Sequence, residues 1–261
     1  GGVDSAVALA LAVRTLGAER VLAVTGRSPS VPPAELEAAA ALAAELGAAH
    51  AFYDTHEFDD PQYVANPANR CYFCKSELYT RLGRLAAERG FAAVVSGVNA
   101  DDLGDFRPGI QAGDEHRVSA PLAEAGVTKA ELRALAAEYG LAVHDKPASP
   151  CLSSRIPYGE CVTLEKLQRV DAAETALREL GFRECRVRHH ETGRGDALAR
   201  IEVPAAEIAR FADQELRAQV DARLREIGFN YVALDLRGFR SGSLNEVILG
   251  AGFGQGMPSR E

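Results

Sequence analysis

The first half of the chain alternates helical apolar patterns with short strand-like runs, and that alternation restricts it to a parallel sheet covered by helices on both faces. Residues 3–16 carry closely spaced apolar side chains and read as a helix stopped by Gly17. Residues 20–25 read as a buried strand, 33–46 as an alanine-rich helix followed by Gly47, and 49–53 as a second strand. Residues 76–89 read as a helix stopped by Gly90, and 91–95 as a third strand. Thr128, with Glu131 three residues on, predicts the start of a helix over 128–139.

The second half changes character. Residues 144–161 are rich in Pro, Ser and Gly and read as a loop, one long enough to carry function. A helix over 163–180, strands over 185–188 and 199–203, helices within 204–227 and a strand over 231–236 then make a smaller α+β unit. The expected organisation is an α/β domain over 1–159, an α+β domain over 160–249 and a flexible Gly-rich tail over 250–261.

Charge and cysteine usage exclude several functions. No run of about 18 apolar residues is present to span a membrane. The first residues also lack the basic-then-apolar order of a secretion signal, so a cytoplasmic protein is expected. The net charge of -8 speaks against a partner bound mainly through nucleic-acid phosphates, which call for a basic surface. Five cysteines, an odd number, point away from a disulfide framework and towards thiol chemistry or metal.

Gly1-Gly2-Val3-Asp4-Ser5 stands directly before the first helix. Glycines let a backbone approach a ligand closely, and free N–H groups at a helix start attract anions. Asp4 and Ser5 are candidate caps and Ser5 a candidate phosphate contact; an ordinary N-cap is the competing reading. Cys71 and Cys74 form a C-x-x-C, a spacing that can set two thiolates on one metal or cluster, with thiol redox chemistry and simple packing as the other readings. Cys151 lies in the Pro- and Ser-rich loop, and three cysteines from two loops would leave one iron of a cubane cluster with an open position. Cys161 and Cys185 lack company and read as bystanders. Asn99, Asp101, Asp102 and Asp105 crowd the loop after the third strand, where α/β sheets bind ligands; they are candidate Mg²⁺ holders or else turn and cap residues. Arg186 and Arg188 alternate on a strand and so share a face, either to grip a phosphate or simply solvated.

Residues 1–5 resemble the PP-loop, S-G-G-x-D-S, of the ATP-pyrophosphatase superfamily, which holds the pyrophosphate of ATP while AMP passes to a substrate. That pattern places a Ser before the glycines and a hydrophobic strand before the Ser. Neither lies within these 261 residues, so the chain is expected to be incomplete at its N-terminus and its ATP binding to suffer. The resemblance then narrows. Residues 70–75 around Cys71 and Cys74, residues 97–109, residues 146–155 from Lys146 through Cys151 to Arg155, residues 199–203 and residues 229–246 are similar to the LarE family across nearly the whole chain.

The LarE resemblance implies an ATP-dependent sulfur transferase acting on pyridinium-3,5-biscarboxylic acid mononucleotide, in the synthesis of the nickel-pincer nucleotide cofactor. It implies ATP and Mg²⁺ as requirements, with Gly1, Gly2, Asp4 and Ser5 at the phosphates and Thr25, Gly26 and Ser28, which follow a strand, near adenine. Arg186 and Arg188 are implied at the substrate phosphate, and Glu202 near the substrate. Two sulfur routes exist in the family. In one, the cysteine matching Cys151 gives up its own sulfur; in the other, cysteines matching Cys71, Cys74 and Cys151 hold a [4Fe-4S] cluster, and this sequence has that three-cysteine pattern. A homo-hexamer is implied, with the sulfur donor left open. The competing readings are a tRNA-thiolating enzyme of the same superfamily, an ammonia-using ligase like NAD synthetase, and a zinc-stapled nucleotide-binding module.

Overall fold

The computed structural model describes residues 1–104, 107–193 and 195–240. Asp105 and the tail over 250–261 lie outside the described residues. The chain divides into two compact units, Gly1–Pro150 and a second that begins at Cys151. The division precedes the expected 159 because Leu152, Ser153, Arg155 and Ile156 are buried and Arg155 pairs with Glu174, which commits this segment to the second unit.

In the first unit α1 (Val3–Leu16), β1 (Leu22–Arg27), α2 (Pro33–Glu45), β2 (Ala49–Asp54), α3 (Pro61–Val64), α4 (Arg70–Arg89), α5 (Pro108–Glu115), α6 (Pro121–Glu124) and α7 (Lys129–Glu138) follow in order. β1 and β2 pair in parallel from Leu22 opposite Ala49 to Arg27 opposite Asp54, with α2 as the crossover. Val3, Ala6, Val7 and Ala10 recur at helical spacing on α1 and are buried with Leu42 of α2 and Leu132 and Ala136 of α7. Gly17 and Gly90 end α1 and α4 at positive φ, which a side chain would strain.

Three local expectations fail. The first strand starts at Leu22, because Ala18–Arg20 is a 3₁₀ turn. The helix expected from residue 76 starts at Arg70, so the C-x-x-C is helical and not part of a loop. Residues 91–95 form no strand: Val95 makes a single bridge to Ser119, with Ser119 N–H donating to Val94 O at 2.9 Å. An apolar run becomes a strand only where a neighbouring backbone takes its hydrogen bonds. A cavity of about 410 Å³ lies here, lined by Leu9, Leu22, Val24, Leu85, Phe91 and Val94 among others.

The second unit comprises α8 (Leu164–Glu179), β3 (Arg186–Thr192), β4 (Asp196–Glu202), a 3₁₀ segment (Ala205–Ala212), α9 (Gln214–Ile227) and β5 (Tyr231–Leu234). β4 is central, antiparallel to β3 and parallel to β5. The strand alternation gives the sheet two unlike faces. Val187, Ala199 and Ile201 join Leu177, Val220, Leu224 and Phe229 in an apolar core, while Arg186, Arg188, Arg200 and Glu202 occupy the alternate positions.

His189 falls on the apolar side. It is 1% exposed, packs against Phe229, and neither ring nitrogen has a hydrogen-bond partner among the described residues. Burial, reinforced by Lys166 and Arg169, pushes its pKa down to about 4. The unfolded chain therefore takes up this proton as pH falls through about 6.5, whereas the folded chain resists until about 4. Stability is expected to decline across that window by up to roughly 3 kcal/mol from this residue alone. Urea unfolding at pH 7 and pH 4.5 checks this: the loss should shrink in His189→Leu.

Candidate active site

Gly2 is the N-cap of α1 in extended conformation and offers no side-chain cap. The capping role considered for Asp4 and Ser5 is not what they do. Ser5 Oγ donates to Gly2 O at 3.0 Å, and Asp4 accepts from Lys129 Nζ at 2.7 Å and Asn99 Nδ2 at 3.2 Å. The first N–H groups of α1 thus stay available to an anion, beside a lysine. Gly97 packs directly beneath: a Cβ there would lie 2.8 Å from Ser5 N and 2.9 Å from Asp4 C. Gly97→Ala is expected to push the loop off its seat, costing about 1–3 kcal/mol and weakening ATP binding. Chemical unfolding and nucleotide titration measure the two effects.

The acidic loop has mostly structural contacts. Asp101 Oδ2 accepts the Lys129 N–H at 2.8 Å, at the start of α7, whose Thr128–Glu131 capping box forms as expected. Asp102 Oδ2 accepts the Asn99 N–H at 3.1 Å, and its Oδ1 pairs with Arg107 at 2.8 Å. Lys146 Nζ donates to Gly1 O at 3.0 Å and to Glu35 at 2.7 Å, so it anchors the glycine turn ahead of α1. Lys129 went unnoticed in the sequence because nothing in its spacing distinguishes it from any exposed helix lysine. Thr25 and Gly26 lie within β1; Thr25 Oγ1 is 3.0 Å from His50 Nε2, and Ser28 Oγ accepts the Ser30 N–H at 3.0 Å.

Cys71, exposed, and Cys74, half-buried, sit in the first turns of α4, three residues apart and so on neighbouring positions of one side. The turn is fixed by Arg70, which is buried and donates to Asn66 Oδ1 at 2.7 Å, Asn66 itself adopting φ 54. Gly109 lies against the same turn, its Cβ position 3.6 Å from Cys71 O. A helix start favours thiolate, so these two residues suit metal or cluster ligation. Among the described residues, no three His, Cys, Asp or Glu side chains are gathered as a metal site.

In the second unit Cys151 is half-buried at the head of a 3₁₀ turn (Leu152–Arg155). Arg155 turns to Glu174, at 2.7 and 3.0 Å, and also donates to Cys151 O at 3.1 Å. It anchors the cysteine turn by its backbone. Arg188 donates to Ser154 O at 2.7 Å and to Glu202 at 2.8 Å. Arg186 and Arg188 share a face as expected, yet they are buried, not solvated. Burial above all, with Arg155 and Arg188 nearby, drives the pKa of Arg186 down to about 10, against the pull of Glu174 and Glu202. Burial pushes the Cys185 thiol up to about 12, which leaves it protonated and inert.

A parallel-sheet unit whose first helix opens on Gly-Gly-Val-Asp-Ser defines a PP-loop protein, and residues 1–70 match the family described as NAD synthase. The chain is 48% identical over 248 residues to the uncharacterized protein slr1717 of Synechocystis, covering 95% of this chain and 90% of that one. It is 40% identical over 248 residues to the pyridinium-3,5-bisthiocarboxylic acid mononucleotide synthase of Lactiplantibacillus plantarum, covering 95% of this chain and 87% of the relative. A third relative, the uncharacterized protein MJ0830 of Methanocaldococcus jannaschii, is 26% identical over 178 residues, 68% of this chain and 67% of its own. The chain belongs to the LarE family of PP-loop enzymes.

Proposed function

We propose that this protein uses ATP and Mg²⁺ to adenylate a carboxylate of a pyridinium carboxylate mononucleotide and then converts it to a thiocarboxylate, in the synthesis of the nickel-pincer nucleotide. One observation carries the reading: the cysteine turn and the arginine strip belong to one rigid network. Arg188 holds Ser154 O, Arg155 holds Cys151 O, and Glu174 accepts both Arg155 and the Val187 N–H that lies between Arg186 and Arg188. A sulfur-bearing residue is thereby fixed relative to a pair of cations that suit a phosphate monoester.

A carboxylate resists nucleophiles because its charge is delocalised and oxide leaves poorly. Transfer of AMP supplies a good leaving group, and the phosphate loop, with Lys129 beside it, receives the departing pyrophosphate. Arg186 and Arg188 orient the substrate by its phosphate. The Cys151 thiolate is the competent form for sulfur chemistry. Cys71, Cys74 and Cys151 would be the ligands of a [4Fe-4S] cluster, which when bound supplies an open iron position able to carry an additional sulfide. The alternative is the second route, in which Cys151 gives up its own sulfur. Asp101 and Asp102 remain candidates near Mg²⁺ through an exchange of their present partners. The protein is read as a cytoplasmic homo-oligomer, a hexamer by family; no helix among the described residues is long and apolar enough to cross a membrane.

The test is anaerobic incubation with ATP, Mg²⁺ and the pyridinium dicarboxylate mononucleotide, following thiocarboxylate, iron, sulfide and protein mass. Thiocarboxylate with bound iron and sulfide supports the cluster route. Thiocarboxylate with loss of H₂S from Cys151 supports the sacrificial one. Thionucleoside in added tRNA, without thiocarboxylate, overturns the substrate assignment.

A further inference from the structure

Arg200 lies outside the phosphate contact assigned to Arg186 and Arg188, yet its guanidinium ties together the groups around them. On β4 it stands directly opposite Arg188, a like-charge pair that is unfavourable unless an acid intervenes. Glu202, fully buried, does so: Oε2 accepts from Arg188 at 2.8 Å and Oε1 from Arg200 Nη1 at 3.0 Å. The same Nη1 donates to Asp235, one residue past β5. Asp235 also accepts the Arg237 N–H at 2.8 Å and pairs with Arg240 at 3.6 Å, fixing the turn over 235–240. Phe239 of that turn lies 4.5 Å from the Arg186 guanidinium. Arg200 is therefore the common root of two supports, Glu202 on Arg188 and Phe239 on Arg186.

Arg200 Nε also donates to His190 Nε2 at 3.1 Å. A guanidinium only donates, so His190 is the acceptor there and carries its proton on Nδ1. Burial and the neighbouring Arg200 and Arg188 hold its pKa down. His190 faces Glu202 as well and adds no positive charge of its own to the strip.

We infer that Arg200 is a positioning residue that sets the spacing of Arg186 and Arg188 for a phosphate monoester dianion, with Asp235 carrying its effect to Arg186. This deepens the proposed function and rests on its assignment of those two arginines to the substrate phosphate. Calorimetric titration with the pyridinium dicarboxylate mononucleotide and with its dephosphorylated riboside separates the two claims. The unaltered protein should prefer the mononucleotide by at least about tenfold. Arg200→Met should lose most of that preference while binding the riboside within about twofold of normal. Arg200→Lys should recover part of it, since a lysine reaches one carboxylate but not three partners. Asp235→Asn, which leaves Arg200 and Glu202 in place, should lose an intermediate amount and serves if Arg200→Met does not fold. No preference in the unaltered protein overturns the phosphate assignment itself. A normal preference there, retained in full by both Arg200→Lys and Asp235→Asn, overturns the positioning role of Arg200.

Discussion

Glu174→Ala is expected to lower the unfolding free energy of the second unit by about 3–5 kcal/mol. Glu174 is 1% exposed, and its carboxylate accepts from Arg155 Nε and Nη2, from Arg178 at 3.3 Å and from the Val187 N–H at 3.2 Å. Arg155 is itself 4% exposed, so alanine at 174 leaves a buried guanidinium without its counter-ion and a sheet N–H without an acceptor. A whole domain is stable by only about 5–15 kcal/mol, so the loss should be visible as a large shift of the urea midpoint. The exposed pair Arg27–Asp54 has comparable geometry at 2.6 Å, and yet Asp54→Ala should barely move the urea midpoint, since water screens and resolvates both partners. Equal losses at the two sites would mean that burial is not what gives the Glu174 pair its weight. Glu174→Gln divides the effect: it keeps an acceptor for Val187 while removing the charge that Arg155 needs.

The readable parts of the sequence were those whose signals are local. The limits of α1 follow from its apolar spacing and Gly17, and α7 from Thr128 and Glu131, because a cap or a stop acts within one turn. The parallel pairing of β1 and β2 was legible from the helix between them. What could not be read depends on partners far along the chain. Residues 91–95 have strand composition, but strand structure needs a neighbour's backbone. The early start of α4 has no side-chain cap at Asn69 to announce it; it rests on the buried Asn66–Arg70 contact. Arg186 and Arg188 were legible as sharing a face, whereas their burial follows from Glu202 and the turn around Ser154, distant in sequence. Glu174 gave no sign at all, since a glutamate within a helix is ordinarily solvated, and this one is a core residue through Arg155 and the Val187 N–H, both distant in sequence.

Cys151→Ala is expected to reduce thiocarboxylate formation by at least about a thousandfold, while ATP-dependent release of pyrophosphate persists. The separation follows from where the chemistry is carried: adenylation needs the phosphate loop and a bound carboxylate, neither of which uses the Cys151 thiol. The other thiols of the second unit are placed differently. Cys185 is buried with its pKa at about 12, and Cys161 is exposed, outside the hydrogen bonds that join Arg155, Glu174 and Arg188 to the Cys151 turn. Cys161→Ser should accordingly leave the rate within about twofold of normal. Cys71→Ala and Cys74→Ala then decide the route. Loss of product in both, together with loss of bound iron, fits three thiolates sharing one cluster, whereas full product after a single turnover fits a sulfur that leaves from Cys151 itself. If Cys151→Ala still makes thiocarboxylate at a normal rate, the thiol beside the arginine network is not the sulfur carrier, and the link between that network and the chemistry is lost.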